Sequence, residues 1–164
     1  MLGGSGASSV HGLWRATGNI DLVARIRPED IEPLVDELRR DFYVDAGRSF
    51  NVIHLPSSYK FDIFPLTSDR YQQVQFGRQR FEQAKVFGTE PVEFAVATAE
   101  DVILSKLRWY RLGGETSDRQ WNDILGVIAV QGEGLDMAYL REWALYLNVN
   151  DLLDQVLLER HGTL

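Results

Sequence analysis

A change of pattern after Ala97 constrains the fold more than any other feature of this chain. Before it, apolar residues come in short alternating runs broken by proline, serine and glycine. After it, they recur at helical spacing to the end of the chain. Thr98-Ala99-Glu100-Asp101 marks the junction, because a threonine hydroxyl followed three residues later by a carboxylate caps a helix start. Helices are expected at about 99–112, 117–131, 136–147 and 149–160, with breaks at Gly113-Gly114, Gly132 to Gly134 and Asn148.

Upstream, the alternation predicts strands. Phe50 to Leu55 and Tyr59 to Phe64 flank Pro56-Ser57-Ser58 and read as a hairpin. Ala84 to Phe87 and Val92 to Ala95 read as a weaker second one, with Phe42 to Val44 as a short strand before them. Met1-Leu2 looks like a strand stub, and Ile20 to Ile26 a full strand. Ser5 to His11 reads as a short helix N-capped by Ser5. Pro28, followed by Glu29 and Asp30, opens a helix to Arg40 with Ile31, Leu34, Val35 and Leu38 as its apolar stripe. Part of 69–82 reads as helix. The expected class is α+β: a small mixed sheet with flanking helices over 1–97, then a C-terminal helical bundle over 98–164 packed on it.

Composition narrows the function classes. The 164 residues are 45% hydrophobic, enough for a real core. The net charge of −7 argues against a broad basic surface for nucleic acid, although basic residues cluster at Arg78 to Lys85 and Lys106 to Arg111. The absence of cysteine excludes disulfides, thiolate zinc sites and thiol catalysis. The N-terminus has neither the basic region nor the apolar run of a secretory signal, and no stretch is apolar enough to span a membrane. A soluble, cytoplasmic protein with no membrane partner is expected.

The chemistry-bearing residues lie near the start. Gly3-Gly4-Ser5 leads into the first helix, where free backbone N–H groups and the positive dipole end can seat a phosphate. An ordinary tight turn is the alternative. Asn19 and Asp21 are two apart on an expected strand and so share one face. Asp62 and Lys60 share a face of a later strand, with Phe61 and Ile63 on the other. If the two strands lie in one sheet with these faces alike, Asn19, Asp21 and Asp62 converge. Converging carboxylates repel unless a cation sits between them, and hard oxygen donors select magnesium or manganese. Lys106 falls on or beside an apolar helical stripe, where it either snorkels or points at an anion. Arg119 and Asp123 are spaced to pair across one turn. Trp14 stands in the loop beside the proposed site and could lid it. His11, His54 and His161 lack partners at metal-ligand spacing.

Gly4-Ser5, a spacer, Asn19-Ile20-Asp21-Leu22 and a later Asp62 together resemble the polymerase-beta-like nucleotidyltransferase superfamily. More narrowly, Phe61-Asp62-Ile63-Phe64, the stretch from Ala99 to Leu107 and Arg119-Gln120-Trp121-Asn122-Asp123-Ile124 are similar to small bacterial nucleotidyltransferase-like proteins related to the AbiE-type toxin component. The resemblance covers essentially the whole chain. It implies a nucleotidyltransferase-type sheet and transfer of a nucleoside monophosphate from an NTP to an acceptor hydroxyl on RNA, protein or a small molecule. It implies Mg2+ (or Mn2+) as cofactor, held by Asn19, Asp21 and Asp62. Asp21 and Asp62 would be catalytic, with Asp62 also activating the acceptor. Gly4 and Ser5 would seat the triphosphate, Lys106 would contact phosphate, and Arg15 and Asp123 would support the site. A partner antitoxin protein belongs to the same picture.

Two departures matter. Asn19 stands where the family has its first aspartate, which removes one negative charge from the metal cage. Relatives also carry a helix and a full first strand before the Gly-Ser, so either the start is truncated or the sheet lacks a piece. Two expectations follow: an enzyme weakened at Asn19, or a non-catalytic member that binds a nucleotide or a partner.

Overall fold

The computed structural model describes residues 1–13, 18–46, 50–84 and 90–162. In chain order the elements are α1 (Gly4–His11), β1 (Asn19–Ala24), α2 (Pro28–Leu38), β2 (Phe42–Ala46), β3 (Phe50–His54), β4 (Lys60–Pro65), α3 (Arg70–Gly77), β5 (Arg80–Ala84), β6 (Val92–Val96), α4 (Ala99–Leu112), α5 (Asp118–Gln131), a 3-10 turn at Gly132–Gly134, α6 (Met137–Tyr146) and α7 (Asn150–Gly162). This is a mixed α+β architecture. The chain divides into two compact units, residues 1–6 with 16–97 and residues 7–15 with 98–164. Among the described residues no helix is long and apolar enough to cross a membrane.

In the first unit, a four-stranded sheet has the order β1-β4-β3-β2. The expected hairpin is present: β3 and β4 pair antiparallel, with Ile53 opposite Lys60 and Asn51 opposite Asp62. β1 joins β4 in parallel, Asn19 opposite Lys60 and Asp21 opposite Asp62. That strand ends at Ala24, short of the expected Ile26, where the ladder reaches Pro65 and its missing N–H. One face of the sheet is apolar, with Phe50 and Val52 buried on β3 and the Phe42 ring edge-on to Phe61 at 6.3 Å. α2 lies against β2 and turns its expected stripe inward, Val35 being buried.

β5 and β6 form an antiparallel pair in which β5 covers Arg80–Ala84; of the strand expected at 84–87, residues 85–87 lie outside the described residues. Its sequence, Arg-Phe-Glu-Gln-Ala, exposes Phe81, so partner pairing and not an apolar face defines the strand. Leu2 bridges the two strand groups, antiparallel to Leu22 and parallel to Val96. Its N–H donates to the Ala95 carbonyl at 2.7 Å and its carbonyl accepts from Ala97 at 3.0 Å. The Met1-Leu2 stub therefore fixes where the glycine turn begins.

The second unit is a helical bundle in which α4 packs on α5 and α6, and α7 on α5 and α6. Its core includes Val102, Ile103, Leu107, Ile124, Leu140 and Leu153. The anticipated cap at Thr98 is present, and two further helices of the bundle are capped in the same way. Thr98 accepts from the Asp101 N–H, Ser117 from Gln120 and Asp136 from Tyr139. The expected breaks fall at Gly114, Gly132 and Asn148, all at positive φ. Asp101 is fully buried yet satisfied, accepting from the Thr98 hydroxyl at 2.8 Å and the Tyr139 hydroxyl at 2.7 Å. On the surface, hydrogen bonds from Arg111 hold the Asp151 carboxyl below its ordinary 3.8 and tie α4 to α7. Trp143 is buried, whereas Trp109 is exposed and packs no core.

The segment following α1 belongs to this unit. Gly12 approaches the α5 backbone so closely that a Cβ there would lie 2.9 Å from the Val127 nitrogen. Gln131 donates to the His11 carbonyl at 2.7 Å, closing the end of α1 against the same helix.

Candidate functional site

The candidate site is a square of four side chains on two neighbouring strands. Strand alternation puts Asn19 and Asp21 on one face of β1, and Lys60 and Asp62 on one face of β4. The parallel register sets Asn19 opposite Lys60 and Asp21 opposite Asp62. Like charges directly opposite each other are destabilising unless something compensates, and here two groups do.

The first is Asn19. Its amide nitrogen donates to Asp21 Oδ1 at 3.1 Å and to Asp62 Oδ2 at 2.9 Å. One neutral NH2 thus bridges both carboxylates. The second is Lys60, whose ammonium lies 2.9 Å from Asp62 Oδ1. That oxygen is buried and has no aligned hydrogen-bond donor, so the contact with Lys60 is an ion pair without a directed bond. The square retains one net negative charge.

Gly4 closes one side. It takes φ +51 at the mouth of α1, and a Cβ there would fall on the Asp21 carboxylate. The glycine is required twice, for its backbone angle and for the space that Asp21 fills. The Gly3 N–H donates to the Asp21 carbonyl at 2.8 Å, so turn and strand are stitched together. Because Gly4 makes this turn, α1 begins one residue early, and Ser5 lies in the first helical turn instead of capping it.

The structure therefore brings together Gly4, Asn19, Asp21 and Asp62. Lys106 and Asp123 meet each other in the second unit, at 2.8 Å and almost wholly buried. Lys106 does not snorkel; its ammonium is paired with Asp123. Arg15 and Trp14 lie outside the described residues. Sequence reasoning noted Lys60 only as a neighbour of Asp62 on its face, and passed over Asn51, which the register sets opposite Asp62 from β3. Asn51 was reachable, since the Pro56-Ser57-Ser58 turn fixes the hairpin register by counting, whereas the place of Lys60 opposite Asn19 follows only from the β1–β4 register.

The donors suit a hard divalent cation. Two carboxylates converge on one point, one buried carboxylate oxygen lacks a directed donor, and a half-turn of the Asn19 amide would replace its NH2 with Oδ1. Among the described residues no group of three or more His, Cys, Asp or Glu side chains is gathered for a metal, so the third donor would be this amide.

No protein-family model matches the chain, and no curated protein matches it. Solved structures do. One is the crystal structure of an antigenic nucleotidyltransferase-like protein from Paracoccidioides brasiliensis, 15% identical, covering 94% of this chain and 82% of that one at a TM-score of 0.53. The fold of this chain is similar to that of this nucleotidyltransferase-like protein. At that identity the likeness concerns the fold alone.

Proposed function

We propose that the chain is a nucleotidyltransferase. It moves a nucleoside monophosphate from an NTP to an acceptor hydroxyl with Mg2+ (or Mn2+), at a rate reduced by Asn19. One observation carries this reading: Asp21 and Asp62 face each other across parallel strands, bridged by the Asn19 amide, beside a glycine shaped around Asp21.

Asp21, Asp62 and the Asn19 amide oxygen would hold the ion. Bound there, it would stabilise the charge that develops on the triphosphate during an in-line displacement. Gly4 and Ser5, in the first turn of α1, offer backbone N–H groups to the triphosphate. Asp62 accepts the proton of the attacking hydroxyl. The new bond joins the acceptor oxygen to the α-phosphorus, the bond from that phosphorus to the bridging oxygen breaks, and pyrophosphate leaves. Roles for Arg15, Lys106 and Asp123 come from the resemblance alone. So does the extension to an AbiE-type toxin component whose antitoxin partner blocks the site.

A second reading is a nucleotide- or partner-binding protein without catalysis. The doubly bonded Asn19 amide favours it, because a neutral group already occupies the place between the carboxylates. Radiolabel transfer assayed beside calorimetric titration with NTP and Mg2+ separates the two. The enzyme reading predicts that Asn19→Asp raises transfer at least about tenfold, equivalent to about 1.4 kcal/mol of barrier. Nucleotide binding with no transfer in either protein selects the second reading. No binding at all overturns both.

A further inference from the structure

Within the reading above, on which this inference rests, Lys60 has no assigned part. Three facts single it out. The β1–β4 register sets it directly opposite Asn19, the position that lacks the expected carboxylate. Its ammonium sits 2.9 Å from Asp62 Oδ1, and that oxygen is buried with no directed donor, so among the described residues Lys60 is the cation paired with it. Finally, Lys60 is 42% exposed while Asp62 is 12% exposed, so the lysine can withdraw into water but the carboxylate cannot.

We propose that Lys60 is a tethered counter-cation that sets the affinity of the carboxylate pair for a divalent ion. It neutralises Asp62 from within, and an arriving ion exchanges with it at Oδ1. The exchange is feasible because Lys60 regains water on leaving while the arriving ion takes its place at the buried oxygen. It weakens metal binding because the ion meets one net negative charge in place of two. Asn19 and Lys60 then act in the same direction, one by removing a charge and the other by covering one. Lys60 is a positioning residue in this account, acting through Asp62.

The test is Mn2+ binding to the whole chain, read from the electron paramagnetic resonance signal of free Mn2+ without nucleotide. Lys60→Met should tighten binding about tenfold, as expected for deleting a unit charge about 6 Å from a divalent ion when water lies between them, the lysine having withdrawn into solvent. Lys60→Arg, which keeps the charge, should bind as the parent does. Lys60→Gln provides the same neutralisation should the Met variant fail to fold. Unchanged or weaker Mn2+ binding in the neutral variants overturns the proposal, as does equal tightening by Lys60→Arg. The same substitutions in an Asn19→Asp background separate this idea from the reading beneath it. Should Asn19→Asp bind Mn2+ in a manner lost with Asp21→Asn, and Lys60→Met add nothing, the counter-cation role falls and the metal pocket stands. Should no variant bind Mn2+, both fall.

Discussion

Among the described residues, two lysine–aspartate pairs of nearly equal length have surroundings that give them opposite characters. Lys106–Asp123, at 2.8 Å, is 8% and 9% exposed in the helical bundle. Lys60–Asp62, at 2.9 Å, has its lysine 42% exposed at the sheet. Water decides the difference. A buried pair has lost its hydration, so removing one partner strands a charge at about 3–5 kcal/mol. A pair with one member in water is screened and contributes about 0–1 kcal/mol. The first pair is therefore locked by its environment. The second is exchangeable, the property a carboxylate needs if it is to take up another cation. Distance alone would not distinguish them.

The largest expected effect lies in the locked pair. Lys106→Met should destabilise the protein by about 3–5 kcal/mol in urea denaturation, and the double change Lys106→Met with Asp123→Leu should recover much of that loss. Equal stability of Lys106→Met and the parent would break the comparison. Next comes the glycine. Gly4→Ala places a methyl on the Asp21 carboxylate at a backbone angle alanine resists, and should cost about 1–3 kcal/mol while displacing Asp21. A neutral result would mean that the turn is loosely held. The smallest effect belongs to the exchangeable pair. Lys60→Met should change metal-free stability by no more than about 1 kcal/mol, and added Mn2+ should raise its melting temperature more than it raises the parent's.

The two units also differ in how well the sequence foretold them. The bundle was legible almost residue by residue, because its information is local: Thr98, Ser117 and Asp136 cap helices, and Gly114, Gly132 and Asn148 end them. The β3–β4 hairpin was legible for the same reason. The parallel pairing of β1 with β4 depends on contacts some 40 residues apart, and alternation could only state which faces would meet if the strands did. The strand at Arg80–Ala84 was not foreseen, because its polar residues carry no periodic signal and its pairing with β6 defines it. At the site, the residue types of Asn19, Asp21 and Asp62 were readable, but the bridging amide was not, since it requires both strands in place. Lys60 was overlooked because a charged residue beside an aspartate on a strand looks like ordinary surface until the register sets it opposite Asn19.

The central claim is that Asp21 and Asp62 form one cation pocket. Crystals of the Asn19→Asp protein grown with Mn2+, measured for the anomalous signal of manganese, test it most directly. A peak within coordination distance of both carboxylates is expected. A peak bound elsewhere, or none while the two side chains hold their positions, would contradict it.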